Sequence, residues 1–152
     1  MNRILKATLG AGLVAGTMDI VVAAAINSAS PALILRAIAS GLLGAAAYRN
    51  AEWVIVLGLV LQWIMSFIIA AVFVLASERL PILLRRWTLA GLAYGVVIFI
   101  VMSFIVVPLS AAVPKPHVTV LSFGENVLAM LLFGLIVAFF ARRFATPGPL
   151  QH

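Results

Sequence analysis

Four long apolar stretches, each interrupted by single polar residues, dominate the chain: Thr8 to Ile26, Trp53 to Ala76, Trp87 to Val107 and Val118 to Ala141. A helix rises about 1.5 Å per residue and the hydrocarbon core of a bilayer is about 30 Å thick, so roughly 20 mostly apolar residues cross it. Each stretch meets that length, and the pattern predicts four transmembrane helices. The first begins behind Arg3 and Lys6, as a signal peptide would, but Asp19 interrupts its apolar run and Asn27 follows it. It is expected to be retained as a helix.

A fifth apolar stretch lies between the first two. Ser28-Ala-Ser-Pro31 offers a helix start, and Ala32 to Tyr48 is apolar except for Arg36. Cytoplasmic loops collect Lys and Arg, which arbitrates its role. With four spans and the N-terminus inside, Arg3, Lys6, Arg79, Arg85, Arg86, Arg142 and Arg143 are cytoplasmic and Arg36, Arg49 and Lys115 are outside, seven against three. A fifth crossing would move Arg79, Arg85, Arg86, Arg142 and Arg143 outside and leave only Arg3, Lys6, Arg49 and Lys115 inside. The expectation is therefore an all-α integral membrane protein with four transmembrane helices and both termini cytoplasmic. The 32–48 segment is expected as an interfacial or re-entrant helix on the outer side, between the first and second spans. Residues 1–143 read as one membrane domain and 144–152, with Pro-Gly-Pro, as a short flexible tail.

Composition strengthens this reading. Of 152 residues, 65% are hydrophobic and 9% charged, against about a quarter charged in soluble domains. The net charge of +6 belongs to loops facing anionic lipid, so the bilayer is the expected partner and nucleic acid is not. With no cysteine, thiolate metal sites, iron–sulfur clusters and a Cys nucleophile are excluded, and two histidines, one of them His152, make a bis-His haem site within one chain a poor fit. No cofactor or metal is expected. Walker, GxSxG and HExxH motifs are absent, so the chain does not read as an enzyme.

Helices pack in lipid through small residues that let backbones approach. The first span offers Gly12, Gly16, Asp19 and Ala23, the second Gly58, Gln62, Ser66 and Ala70, the third Gly91 and Gly95, and the fourth Asn126, Met130, Gly134 and Ala138. Two carboxyls stand inside the spans, Asp19 and Glu125, and a carboxyl in hydrocarbon costs a few kcal/mol and is usually retained for a partner or a pathway. Each lies roughly 10 Å below the outer end of its helix. Gln62, Ser103 and Asn126 fall at similar depths, so five polar groups are expected to converge in the outer half of the bundle. Arg36 and His117 are the available compensating cations. Such a constellation would bind a proton or small ligand; alternatively, Asp19 pairs with Arg36 to dock the outer helix while Glu125 caps an irregular start of the fourth span.

The order of Ala76-Ser-Glu-Arg-Leu-Pro81, Leu89-Ala-Gly-Leu-Ala-Tyr-Gly95, Met102-Ser-Phe-Ile-Val-Val-Pro-Leu109 and Glu125-Asn-Val, with Gly12-Leu-Val-Ala-Gly16 at the start, resembles the YagU-like family of uncharacterised bacterial inner-membrane proteins. The resemblance covers mainly residues 55 to 143 and rests on short motifs. It implies a small multi-span protein of the bacterial inner membrane, in a family loosely associated with acid resistance and without an established reaction. Relatives tend to carry histidines within the spans, whereas this chain has Gln62 at the comparable place, so histidine-based chemistry is not carried over. Two functions are expected. One is a structural or accessory protein that associates with itself, as a homo-oligomer, or with the subunits of a membrane complex through small-residue faces. The other is a small transporter, channel or pH-responsive protein built on Asp19 and Glu125.

Overall fold

The computed structural model describes residues 2–49, 51–112 and 119–145, which form helices and no strands. The long helices are α1 (Arg3–Ile26), α2 (Pro31–Leu43), α3 (Trp53–Arg79), α5 (Trp87–Val101) and α7 (Val120–Ala145), with short helices α4 (Ile82–Arg85) and α6 (Val107–Leu109) between them. Five helical stretches are long and apolar enough to cross a membrane, because α2 continues through a 3-10 turn to Tyr48 and α5 runs through a π turn and α6 to Leu109. The four expected spans begin and end within a few residues of their predicted limits. The first differs most, since Asn2 caps α1 and carries it back to Arg3. Phe144 and Ala145 extend α7, and residues 146–152 of the expected tail lie outside the described residues.

Local chemistry explains the ends. Ser28 adopts φ 48°, and the N–H groups of Ser28 and Ala29 donate back to Ala25 and Ala24. This left-handed cap closes α1 and turns the chain sharply into α2. Ser30 caps α2 by accepting from the Leu33 N–H, and Pro31 fits the first helical turn, where no N–H partner is needed. Near the end of α5 the Val107 N–H donates to Met102 O, five residues back, just before Pro108, which has no N–H to give.

The bundle is closed by glycines. At the α5–α7 crossing, a Cβ on Gly134 would overlap the Gly91 carbonyl and lie 2.7 Å from the Gly95 nitrogen, while one on Gly95 would lie 2.6 Å from the Met130 carbonyl oxygen. Backbone therefore meets backbone, which only a residue without a side chain permits. On α1, Gly12 receives the Phe67 ring and Gly16 the Ser66 side chain of α3. Gly58 faces elsewhere than the rest of its expected stripe: the Leu35 carbonyl of α2 occupies the space its Cβ would need. Between these crossings the core is built from Ala7, Ala11, Ala15, Ala70, Phe73, Val74, Phe133, Val137, Ala138 and Ala141.

The contacts also fix helix directions. Gly10 packs on Phe140, Gln62 bonds Asp19, Trp87 stacks edge-on to Phe139 and Phe99 on Phe123, so α1 runs antiparallel to α3 and α7, and α5 antiparallel to α7. One end of the bundle thus gathers the start of α1, the α3–α5 connection and the end of α7. Arg3, Lys6, Arg79, Arg85, Arg86, Arg142 and Arg143 all belong to that end. Arg36 and Arg49 belong to the other.

Candidate functional site

In α1 the small residues Gly12 and Gly16 bring α3 close enough for side chains at the next turn to meet across the interface. There Gln62 Nε2 donates to Asp19 Oδ2 at 2.9 Å and to the Gly16 carbonyl at 3.3 Å. One amide thereby satisfies a carboxylate oxygen and binds α1 to α3 twice. Ser66, one turn below on the same face of α3, returns its hydroxyl to the Gln62 carbonyl at 2.8 Å. A polar stripe in an apolar helix is thus consumed by its own neighbourhood, as low dielectric demands. Trp63 packs beside Gly16, and its indole nitrogen is buried with no acceptor among the described residues.

Beside Asp19 a cleft opens between α1 and α7, walled by Ala15, Met18, Val22, Ala129, Leu132, Phe133 and Ile136. Its volume is about 10 Å³, at the lower limit for a single water molecule. Glu125 lies on the same face of α7 as Ala129, Leu132 and Ile136, one turn nearer the helix start. From the Asp19 level on α7 it is displaced by roughly 10 Å along the axis. Among the described residues Glu125 makes no hydrogen bond or ion pair, and it is half-buried.

The other expected members of the constellation go elsewhere. Asn126 is exposed and donates to the Ser122 carbonyl at 2.7 Å, one turn back in its own helix. Ser103 sits in the π turn and bonds neither Asp19 nor Gln62. Arg36 does not reach Asp19. Its guanidinium donates to the carbonyls of Ala47 and Arg49, at 3.2 and 2.8 Å, because the 3-10 turn after α2 ends with carbonyls that no helical N–H serves. The cation is therefore used to fold the α2 segment onto itself. The Ala111 N–H then donates to Gly41 O at 3.0 Å and ties that segment to the chain just past α6. His117 and Lys115 lie outside the described residues.

Of the six polar residues singled out in the sequence, the structure brings Asp19 and Gln62 into contact and disperses Glu125, Ser103, Asn126 and Arg36. One polar contact escaped the sequence reading: the Tyr94 hydroxyl donates to the Ile69 carbonyl at 2.6 Å, while its ring lies 5.0 Å from that of Phe73. A lone tyrosine midway along an apolar span was the available signal, since a buried phenol must find an acceptor. Among the described residues no group of three or more His, Asp and Glu is placed to hold a metal. No protein-family model, curated protein or solved structure matches this chain.

Proposed function

We propose that this chain is a small structural or accessory membrane protein that crosses the bilayer four times and associates with itself or with other membrane subunits. The observation that carries the reading is the Asp19–Gln62 bond: the half-buried carboxyl of α1 serves as a cross-link between helices, beside a cleft no larger than about one water. The glycines the sequence offers for association are taken up inside the chain, so docking to partners falls to the outward apolar side chains. In this reading the seven-cation end faces the cytoplasm. The α2 segment supports an outer-side re-entrant or interfacial placement, because Leu35, Ala39 and Ala47 pack against Gly58 and Val54, in the first two turns of α3. The resemblance to the YagU-like family fits the same proposal and the bacterial inner membrane.

Purification in lipid nanodiscs and mass measurement test the assembly. A homo-oligomer, or a stoichiometric complex with a second membrane protein, is expected. A proton-conducting monomer contradicts the proposal.

A second reading has one observation in its favour. Asp19 opens on the α1–α7 cleft, and Glu125 lies on the α7 face that walls it, an arrangement compatible with a proton-responsive site entered from the outer side. Flux unchanged in both Asp19→Asn and Glu125→Gln removes this reading.

A further inference from the structure

At the cationic end, α1 and α5 flank α7 and leave an open groove walled by Val14, Trp87, Leu135, Ile136, Phe139 and Phe140, about 360 Å³ in volume. That size takes a length of one apolar chain, with the rest of such a molecule left outside. Every wall residue is apolar or aromatic, and Phe139 remains 49% exposed even after packing against Trp87. The mouth is different in character. The Arg142 guanidinium stands 5.8 Å from the Trp87 ring, Arg85 and Arg86 immediately precede Trp87, and Arg143 follows Arg142. α5 starts at Trp87 with no side-chain cap, so its first N–H groups and positive dipole end add to the same field. Among the described residues this end of the bundle holds one carboxylate, Glu78, against seven cations, and Arg85 and Arg86 form no ion pair.

We propose that this groove and its rim bind an anionic phospholipid, with an acyl chain along Val14, Leu135 and Phe139 and the headgroup phosphate at Arg86 and Arg142. The charge pattern selects the occupant. A zwitterionic lipid would fill the groove without answering the rim, and a second copy docked in parallel would set seven cations against seven. An anionic lipid satisfies both halves of the site, with the phosphate held by guanidinium donors and the tail by apolar walls. The inference is independent of whether the protein assembles or responds to protons.

The test is native mass spectrometry of the full-length protein in mild detergent, titrated with phosphatidylglycerol and with phosphatidylcholine of the same chains. The wild type is expected to retain phosphatidylglycerol about tenfold better, and Arg86→Gln and Arg142→Gln to lower that retention about fivefold each. Val14→Trp, which fills the groove at a residue 41% exposed, should reduce retention of both lipids. Arg79→Gln, on α3, which lines no part of the groove, should leave retention unchanged. Wild-type protein supplies a second measurement: phosphatidylglycerol brominated in its acyl chain should quench tryptophan fluorescence more than brominated phosphatidylcholine. Equal retention or equal quenching by the two lipids overturns the proposal. So does an Arg79→Gln loss matching that of Arg86→Gln, which would mean diffuse charge, or displacement by millimolar inorganic phosphate, which would mean a free-phosphate site.

Discussion

Gln62 reaches across from α3 and donates to the carboxylate of Asp19 on α1 at 2.9 Å, with the Gly16 carbonyl sharing the same amide. Hydrogen bonds between membrane helices contribute about 0.6 kcal/mol on average and up to about 1.7. Asp19→Asn keeps an oxygen for Gln62 and relieves the cost of a half-buried carboxyl, so it should leave stability unchanged or raise it. Gln62→Leu removes the donor while the carboxyl stays, and should lower stability by about 1–3 kcal/mol, the range for stranding a buried polar group. Unfolding in mixed micelles with increasing sodium dodecyl sulfate measures both. A larger loss for Asp19→Asn than for Gln62→Leu would mean that the carboxyl is held for something other than this bond.

The glycine contacts give a matched pair. Gly134→Ala drives a methyl into the Gly91 and Gly95 backbone, which cannot yield as a side chain can, and should cost about 1–3 kcal/mol. Gly124→Ala, also in α7, meets nothing within 4 Å and should gain about 0.5–1 kcal/mol from helix propensity. The same unfolding measurement should move in opposite directions for the two.

Tyr94→Phe deletes the hydroxyl that donates to the Ile69 carbonyl and leaves the ring on Phe73. A loss of about 1 kcal/mol is expected, and Tyr94→Ala, which also empties the ring's place, should lose about 3–5. Similar losses for both would assign the residue's contribution to the hydrogen bond alone.

Much of this architecture was legible in the sequence because spans and their small faces follow from period and size. Gly91, Gly95 and Gly134 lie four residues apart or at matching positions, and spacing alone puts them on helix faces able to touch. The polar site was legible only in part. Depth can be counted only from the end of each helix, and how the ends align is set by packing, so Glu125, on the α7 face that walls the Asp19 cleft, still falls roughly 10 Å from Asp19 along the axis, and Ser103 does not meet it. Arg36 escaped for another reason: its carbonyl partners, Ala47 and Arg49, exist only because a 3-10 turn follows α2. That turn depends on Gly44, whose φ of 58° ends the α-helix.

The α2 segment separates four spans from five. The chain contains no cysteine, so single cysteines can be read without a background. Ser28→Cys and Glu52→Cys should react from the same face of sealed vesicles with an impermeant maleimide, and Arg86→Cys from the opposite face. Reaction of Ser28→Cys and Glu52→Cys from opposite faces would establish five crossings.

A carboxyl at Asp19 that serves to hold α1 against α3 does not conduct protons. Proton flux through purified full-length protein in liposomes, under an imposed pH gradient, tests it most directly. Flux equal to that of protein-free vesicles is expected for the wild type and for Asp19→Asn alike. Flux above that level in the wild type, abolished by Asp19→Asn in a protein that remains folded, would contradict it.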